Sequence, residues 1–265
     1  MKKNRFTPLL IGFVYLTVFL LLSEYDFQIS DFLTDYEVRA IVLLGARIGP
    51  LPAMLVPAYC FRTLDEWEDN RMFQLGSIGC ALGGAFMAVV PDFSSMLDLL
   101  LLIIVWAGLF AFIRWLPIPD ESERHRRVLY LGILITAVSF LLVQVMKFTW
   151  GRPRFVAVVN EGAEFTEWFR IAGFALRDDY YRSFPSGHTV SASAIFFIVF
   201  LPDLFPSLED HRTACWVIAI TYTAFVAFTR IMAGMHFVSD VMAACGVYLL
   251  TYAVTMKIAE KKGYI

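Results

Sequence analysis

The sequence has little charge. Of its 265 residues, 17% are Asp, Glu, Lys or Arg, against about 25% in an ordinary soluble domain. It has four cysteines, Cys60, Cys80, Cys215 and Cys245, each alone in an apolar stretch. That is neither a metal-ligand spacing nor a disulfide framework, so they read as small residues facing lipid or neighbouring helices. There is no basic excess. The net charge of −2 argues against a nucleic-acid partner, which calls for a basic surface. No low-complexity tract is present, which excludes disorder and collagen. What fills the chain instead is apolar surface: 58% of residues are hydrophobic and mean hydropathy is +0.64. That balance argues against a soluble enzyme.

A membrane-spanning helix needs about 20 mostly apolar residues. Eight segments qualify, at about 7–23, 40–61, 72–91, 96–115, 128–147, 189–204, 213–231 and 237–257. The expected fold is an all-α polytopic transmembrane bundle of about six to eight spans, because helices satisfy their own backbone in lipid. The opening MKKNR resembles a signal-peptide start, but no small-residue cleavage site follows, so the first span reads as retained. The second span contains Gly49, Pro50, Pro52 and Pro57 and is expected to be kinked or irregular. Segment 24–38 alternates acidic and aromatic residues; an amphipathic interfacial helix and a solvated loop both fit.

Charge sets the orientation. With eight spans, one side receives Lys2, Lys3, Arg5, Arg62, Arg71, Arg114, Arg124, Arg126, Arg127, Arg212, Lys257, Lys261 and Lys262. The other side receives the acidic stretch 24–37, the nearly uncharged turn 90–96 and the long loop 148–187. Both termini are therefore expected to be cytoplasmic.

Three polar motifs then fall together on the outer face: Lys147-Phe-Thr-Trp-Gly-Arg152-Pro153-Arg154, Ser183-Phe-Pro-Ser186-Gly187-His188-Thr189, and Arg230-Ile-Met-Ala-Gly-Met-His236-Phe-Val-Ser-Asp240. Ionisable residues at span ends are costly unless they snorkel or function. Any one of these cations alone reads as an interfacial anchor, and that reading is kept for Arg39, Arg170, Arg177 and Arg182. His125 and His211 read as solvated. The coincidence of two histidines, an aspartate, three cations and a Ser-Gly helix start asks for an anion. Lys147, Arg154 and Arg230 suit phosphate oxygens, as does backbone N–H at a helix start that Gly187 leaves open to close approach. His236 and Asp240 stand four apart, on one helical face. A carboxylate on one ring nitrogen raises the basicity of the other, which suits a histidine nucleophile.

These segments resemble the signature of the type-2 phosphatidic acid phosphatase superfamily, K-x6-R-P, P-S-G-H and S-R-x5-H-x3-D. They stand here as Lys147-x6-Arg154, Pro185-Ser186-Gly187-His188 and Thr229-Arg230-x5-His236-x3-Asp240. Phe155 stands where the family has Pro, and Thr229 where it has Ser. A second register, Lys147-x4-Arg152-Pro153, keeps the Arg-Pro and makes Arg152 the alternative phosphate ligand. The resemblance covers roughly 128–257. It divides the chain into N-terminal membrane spans at 1–127 with the interfacial segment 24–38, a phosphatase core at 128–257, and a cytoplasmic tail at 258–265.

The resemblance implies a ping-pong lipid phosphatase with no cofactor and no metal. His236 would be the nucleophile, Asp240 its orienting partner, and His188 the leaving-group acid. Lys147, Arg154, Ser186, Gly187 and Arg230 would hold the phosphate. The implied partners are a lipid phosphate or diphosphate and the bilayer. The implied location is a bacterial inner membrane with the site on the periplasmic or extracellular face. Aromatic residues of the long loop (Trp150, Phe165, Trp168, Phe169, Tyr180 and Tyr181) suit an interfacial belt, and select no head group. Three other readings stand beside it: a lipid-linked phosphotransferase using the same phosphohistidine, an anion or lipid transporter without chemistry, and a haloperoxidase using the pocket for vanadate.

Overall fold

A computed structural model describes residues 6–89, 96–174 and 178–264. Lys2, Lys3, Arg5, Arg177 and most of the expected turn at 90–96 lie outside the described residues. Among the described residues the secondary structure is helical throughout, in twelve α-helices joined by short 3₁₀ segments. They are α1 (Phe6–Ser23), α2 (Asp26–Thr34), α3 (Arg39–Ile48), α4 (Leu51–Glu68), α5 (Arg71–Val89) and α6 (Met96–Trp115). Then come α7 (Glu123–Trp150), α8 (Phe155–Glu161), α9 (Gly187–Ser193), α10 (Leu201–Leu204), α11 (Arg212–Met232) and α12 (Val238–Lys261).

Seven helical stretches are long and apolar enough to cross a membrane, and eight if α1 and α2 count as one span bent by 72°. The chain is an integral membrane protein. The expected eight segments each coincide with helix. The second span runs from Arg39 to Glu68 as α3 followed by α4, its helical hydrogen bonding interrupted at Gly49–Pro50 while both residues keep right-handed helical dihedrals.

Backbone chemistry explains the break. Proline has no N–H, and Pro52 sits in the first turn of α4, where that loss is tolerated. The carbonyl of Ile48, four residues earlier, thereby loses its helical donor. The Tyr222 hydroxyl of α11 donates to it instead at 2.6 Å. The same stretch carries Gly45 and Gly49 one helical turn apart. A Cβ at Gly45 would fall 2.0 Å from Thr229 Oγ1, and one at Gly49 would fall 2.9 Å from Val226 Cγ1. Small residues at this spacing let two membrane helices approach closely, so α3 is pressed onto the end of α11.

Burial locates the centre. Of the stretch Gly187–Leu204, 67% is buried, against 6% of Leu97–Trp115. Hence α9 and α10 form the axis and α6 faces lipid. Around that axis α7, α11 and α12 close a core of Ile135, Val143, Val190, Ala194, Phe196, Ala219, Ala244 and Tyr248. Helix α4 joins through Tyr59, Cys60 and Leu64. Helix α1 lies on α12, where Tyr15 donates to the Met242 carbonyl at 2.5 Å.

Two expectations change here. Arg62 belongs to no loop: it is buried inside α4 and donates to the Ile113 and Leu116 carbonyls at 2.8 and 2.6 Å, satisfying the end of α6. Within segment 24–38, Asp26–Thr34 forms the helix α2, the first of the two readings, but Asp26 and Ser30 are buried rather than solvated.

The Ile48 carbonyl gives a direct test. Tyr222→Phe removes its donor and is expected to cost about 1–3 kcal/mol, the usual penalty of a stranded buried acceptor. Thermal unfolding in detergent should show the loss as a lowered Tm. Gly45→Val, which forces atoms into Thr229, should lower it further.

Candidate active site

The three motifs meet at one end of the bundle, and local structure shows why. Helix α7 stops at Gly151, whose φ of 62° is left-handed; a Cβ there would fall 2.1 Å from the Gly173 carbonyl oxygen. The turn brings Arg152 back beneath the helix end it has just left. Ser186 caps α9, its Oγ accepting from Thr189 N at 3.3 Å and from Thr189 Oγ1 at 2.9 Å. Both bonds use oxygen lone pairs, so the Ser186 proton is left to donate. Ser186 N donates to the Asp240 carbonyl at 3.0 Å, tying the second motif to the third.

Lys147 is buried and donates to the Arg182 carbonyl at 2.8 Å. It lies against the start of α9: a Cβ on Gly187 would sit 3.3 Å from its Cε. Arg230 is also buried, donating to the Val42 carbonyl of α3 at 2.5 Å. Arg154 is 14% exposed and pairs with Asp179 at 2.6 Å. Its Nε is buried without a partner among the described residues. His188 packs over the α3–α4 break, with Cδ2 3.5 Å from where a Gly49 Cβ would stand. It lies within the electrostatic reach of Arg230, His236, Lys147 and Arg154. Lys147, Arg154, Arg230, His188 and His236 therefore lie close enough to act on one another's charge.

His236 and Asp240 form the floor. The turn before α12 holds His236 with only 2% exposure. Its Nδ1 stands 3.6 Å from Asp240 Oδ2, an ion-pair distance and too long for a hydrogen bond. Oδ2 is occupied: it accepts from Phe237 N at 2.8 Å and from Ser183 Oγ at 2.5 Å. Burial pushes the His236 pKa down to about 4; Asp240 opposes that shift, and Lys147 and Arg154 add to it. The ring is neutral and keeps its lone pair, as a nucleophile requires.

Arg152 is placed differently from the alternative reading. It is wholly buried, and every donor nitrogen is engaged. Nε donates to the Thr166 carbonyl at 2.8 Å, Nη1 to Ser239 Oγ at 2.7 Å and to Asp240 Oδ1 at 2.6 Å, and Nη2 to Asp26 Oδ2 at 3.0 Å. Its plane lies 4.3 Å from the Phe237 ring centroid and 5.6 Å from that of Phe165. Four of its five N–H groups are thus spent on acceptors inside the protein.

Residues outside the nominated set also enter. Asp26, Ser183, Ser239 and Thr166 all touch the Arg152–Asp240 pair, directly or through one atom. Asp26 carried one sequence signal, its place in an acidic segment, but nothing in the sequence pairs it with a residue 126 positions away. The aromatic loop is inner packing as much as belt. Trp150 donates to the Trp168 carbonyl at 2.5 Å, Phe165 meets Phe237 at 5.3 Å, and Phe184 lies 5.0 Å from Trp150. Phe169, Tyr180 and Tyr181 remain exposed. Among the described residues, no group of three His, Cys, Asp or Glu gathers as a metal site.

The His236 geometry makes a prediction. Below an ordinary histidine pKa of about 6.5 the unfolded chain takes up a proton that the folded one does not. Stability should therefore fall as pH drops from about 6.5 towards 4. NMR titration of labelled histidines should show the His236 imidazole still neutral at pH 5; a midpoint near 6.5 for His236 would contradict the burial argument.

A family model described as the PAP2 superfamily matches residues 127–264. The chain is 32% identical over 81 residues to phosphatidylglycerophosphatase B of Bacillus subtilis strain 168. That match spans 30% of this chain and 40% of the relative's length. A crystal structure described as that of the first transmembrane PAP2-type phosphatidylglycerolphosphate phosphatase, also from Bacillus subtilis, aligns over 94% of this chain and 95% of its own. The identity is 20% and the TM-score 0.49.

Proposed function

The chain belongs to the PAP2 superfamily, and on that premise we propose that it is a membrane lipid phosphatase working through a phosphohistidine. One observation carries the reading. Lys147, Arg154 and Arg230 converge with Ser186 and His188 over a neutral, buried His236 whose Nδ1 side faces Asp240. Nε2 is then the nitrogen left to react.

The chemistry follows from those positions. His236 Nε2 attacks phosphorus as the P–O ester bond breaks. His188 gives its proton to the departing alkoxide and then takes one from the water that cleaves the P–N bond. Phosphate leaves and His236 is neutral again. Arg154, Arg230, Lys147 and the Ser186 hydroxyl hold the non-reacting oxygens, and Gly187 lets the backbone come close. Positioning and electrostatics of this kind supply most of the catalysis in phosphoryl transfer. In the resting enzyme Arg154 is paired with the exposed Asp179, and Lys147 and Arg230 donate to backbone carbonyls; a phosphate ester would give the three cations a shared anion.

The substrate is a lipid phosphate or diphosphate. The pocket lies at helix ends, where tails can stay in the bilayer while the head group meets the cations. The relative's name makes phosphatidylglycerol phosphate the first substrate to test. The charge distribution along the sequence supports cytoplasmic termini and a site on the outer face of a bacterial inner membrane.

The test is release of inorganic phosphate by detergent-solubilised protein from a panel of lipid monophosphates and diphosphates. His236→Ala is expected to lower kcat by at least about 10³-fold while the protein still folds. His188→Ala should cost about 10²–10⁴-fold. EDTA should leave turnover intact and vanadate should inhibit it. Undiminished turnover in His236→Ala sinks the nucleophile assignment, and an EDTA-dependent loss restored by Mg²⁺ sinks the metal-free chemistry. Label passing from lipid to an added alcohol instead of water would make the protein a phosphotransferase.

A further inference from the structure

Resting on the phosphatase reading above, we propose that Asp26 and Arg152 are positioning residues for that reaction, and that α2 completes the active site from outside the family-matched region. Residues 127–264 carry the family match; Asp26 lies a hundred residues before it.

The geometry is a chain of four groups. Asp26 Oδ1 accepts from Ser239 N at 2.8 Å, and its Oδ2 accepts from Arg152 Nη2 at 3.0 Å and from Ser239 Oγ. Arg152 Nη1 donates both to Ser239 Oγ and to Asp240 Oδ1. Asp240 turns its other oxygen towards His236. Asp26 accepts from Ser239 N, Ser239 Oγ and Arg152 Nη2, a set of donors that favours the ionised carboxylate against the opposing pull of burial and of the Asp240 charge. The side chains of Asp26, Arg152 and Asp240 are at most 1% exposed. Water therefore screens little of what they do.

Two consequences follow. The first is orientation. Arg152 is fixed by four acceptors and two aromatic faces, so Asp240 Oδ1 has one place to lie, and Oδ2 is held in line with the imidazole. The second is charge. Asp26 and Asp240 carry two negative charges against one positive charge on Arg152. The cluster is one negative charge in excess beside a neutral His236. When His236 attacks phosphorus its ring becomes positive, and the cluster is balanced. The surplus is thus arranged for the charge that develops during reaction, as preorganised electrostatics demands. Removing Asp26 removes the surplus without touching phosphate or nucleophile.

The experiment is steady-state kinetics of Asp26→Asn against wild type across pH, with thermal unfolding and active-site concentration measured on the same preparations. The expected result is a kcat lowered about 10–100-fold, on the scale of lost outer-shell partners, with KM within twofold. The acid limb of kcat/KM should also move to lower pH, because losing a negative charge weakens proton binding at His236. A purely structural role would lower Tm and the active fraction and leave both the pH limb and kcat per active site unchanged; that result overturns the proposal. Asp26→Glu, which keeps the charge, should recover part of kcat and return the limb. If Asp26→Asn does not assemble, Ser239→Ala deletes only the hydroxyl bridging Arg152 to Asp26. It should lower kcat severalfold at constant KM, and an unchanged kcat overturns the proposal equally. Active wild type with an Asp26→Asn variant of equal kcat leaves the phosphatase reading standing and removes this one. Wild type inactive on every lipid phosphate overturns both.

Discussion

A carboxylate without access to water is the constraint around which the site is built. Asp240 has no exposed surface, and an uncompensated ion in such a place costs several kcal/mol even after relaxation. It is compensated from four directions: a guanidinium on one oxygen, a serine hydroxyl and a backbone N–H on the other, and an imidazole edge beyond. Each donor comes from a different part of the chain. The Arg152 turn after α7, the Ser183 segment before α9 and the Phe237 turn before α12 are fixed relative to one another because they share this one acceptor. Arg152 then needs a second anion to complete its own bonds, and Asp26 provides it. Helix packing brings the motifs to one end; the buried charges set them to hydrogen-bonding precision.

The same logic separates two arginines that lie two residues apart. Arg152 is wholly buried and gives four of its five N–H groups to acceptors inside the protein. Arg154 opens α8, keeps a buried Nε without a partner among the described residues, and otherwise donates to the exposed Asp179 carboxylate and to Met235 Sδ. An arginine used for structure has its hydrogen bonds already made; one used for a ligand has some left over. The lipid-facing parts follow a cruder rule. Helix α6 has little buried surface and packs mainly on α5 and α4, so apolar side chains all round suffice.

Much of this was legible in the sequence. Apolar runs of the right length mark the spans, prolines mark the broken one, and the three motifs mark the polar end of the bundle. Those signals are local: a run, a residue without N–H, a charge beside a glycine. What escaped was non-local. The spacing of Lys147, Arg152 and Arg154 does not say which arginine faces inward, because Gly151 reverses the chain between them. Segment 24–38 shows an acidic helix or loop, but its composition is the same whether Asp26 meets water or Arg152. Arg62 reads as a loop cation because charge usually ends a span. The free carbonyls at the end of α6, which make it worth burying, exist only once α4 and α6 are packed.

The order of synthesis gives the Asp26–Arg152 bond a further meaning. A chain is made from its N-terminus, so the helix carrying Asp26 enters the membrane when the arginine that will neutralise it is still 126 residues from being made. Asp240, the other anion of the pair, comes later still. Until then the carboxylate can be stable only in contact with water or lipid head groups. The bend between α1 and α2 allows that, by letting α2 leave the line of the first span and stay near the surface. The burial of Asp26 is thus a property of the finished fold alone: both charged partners that surround it, Arg152 and Asp240, follow it in the chain.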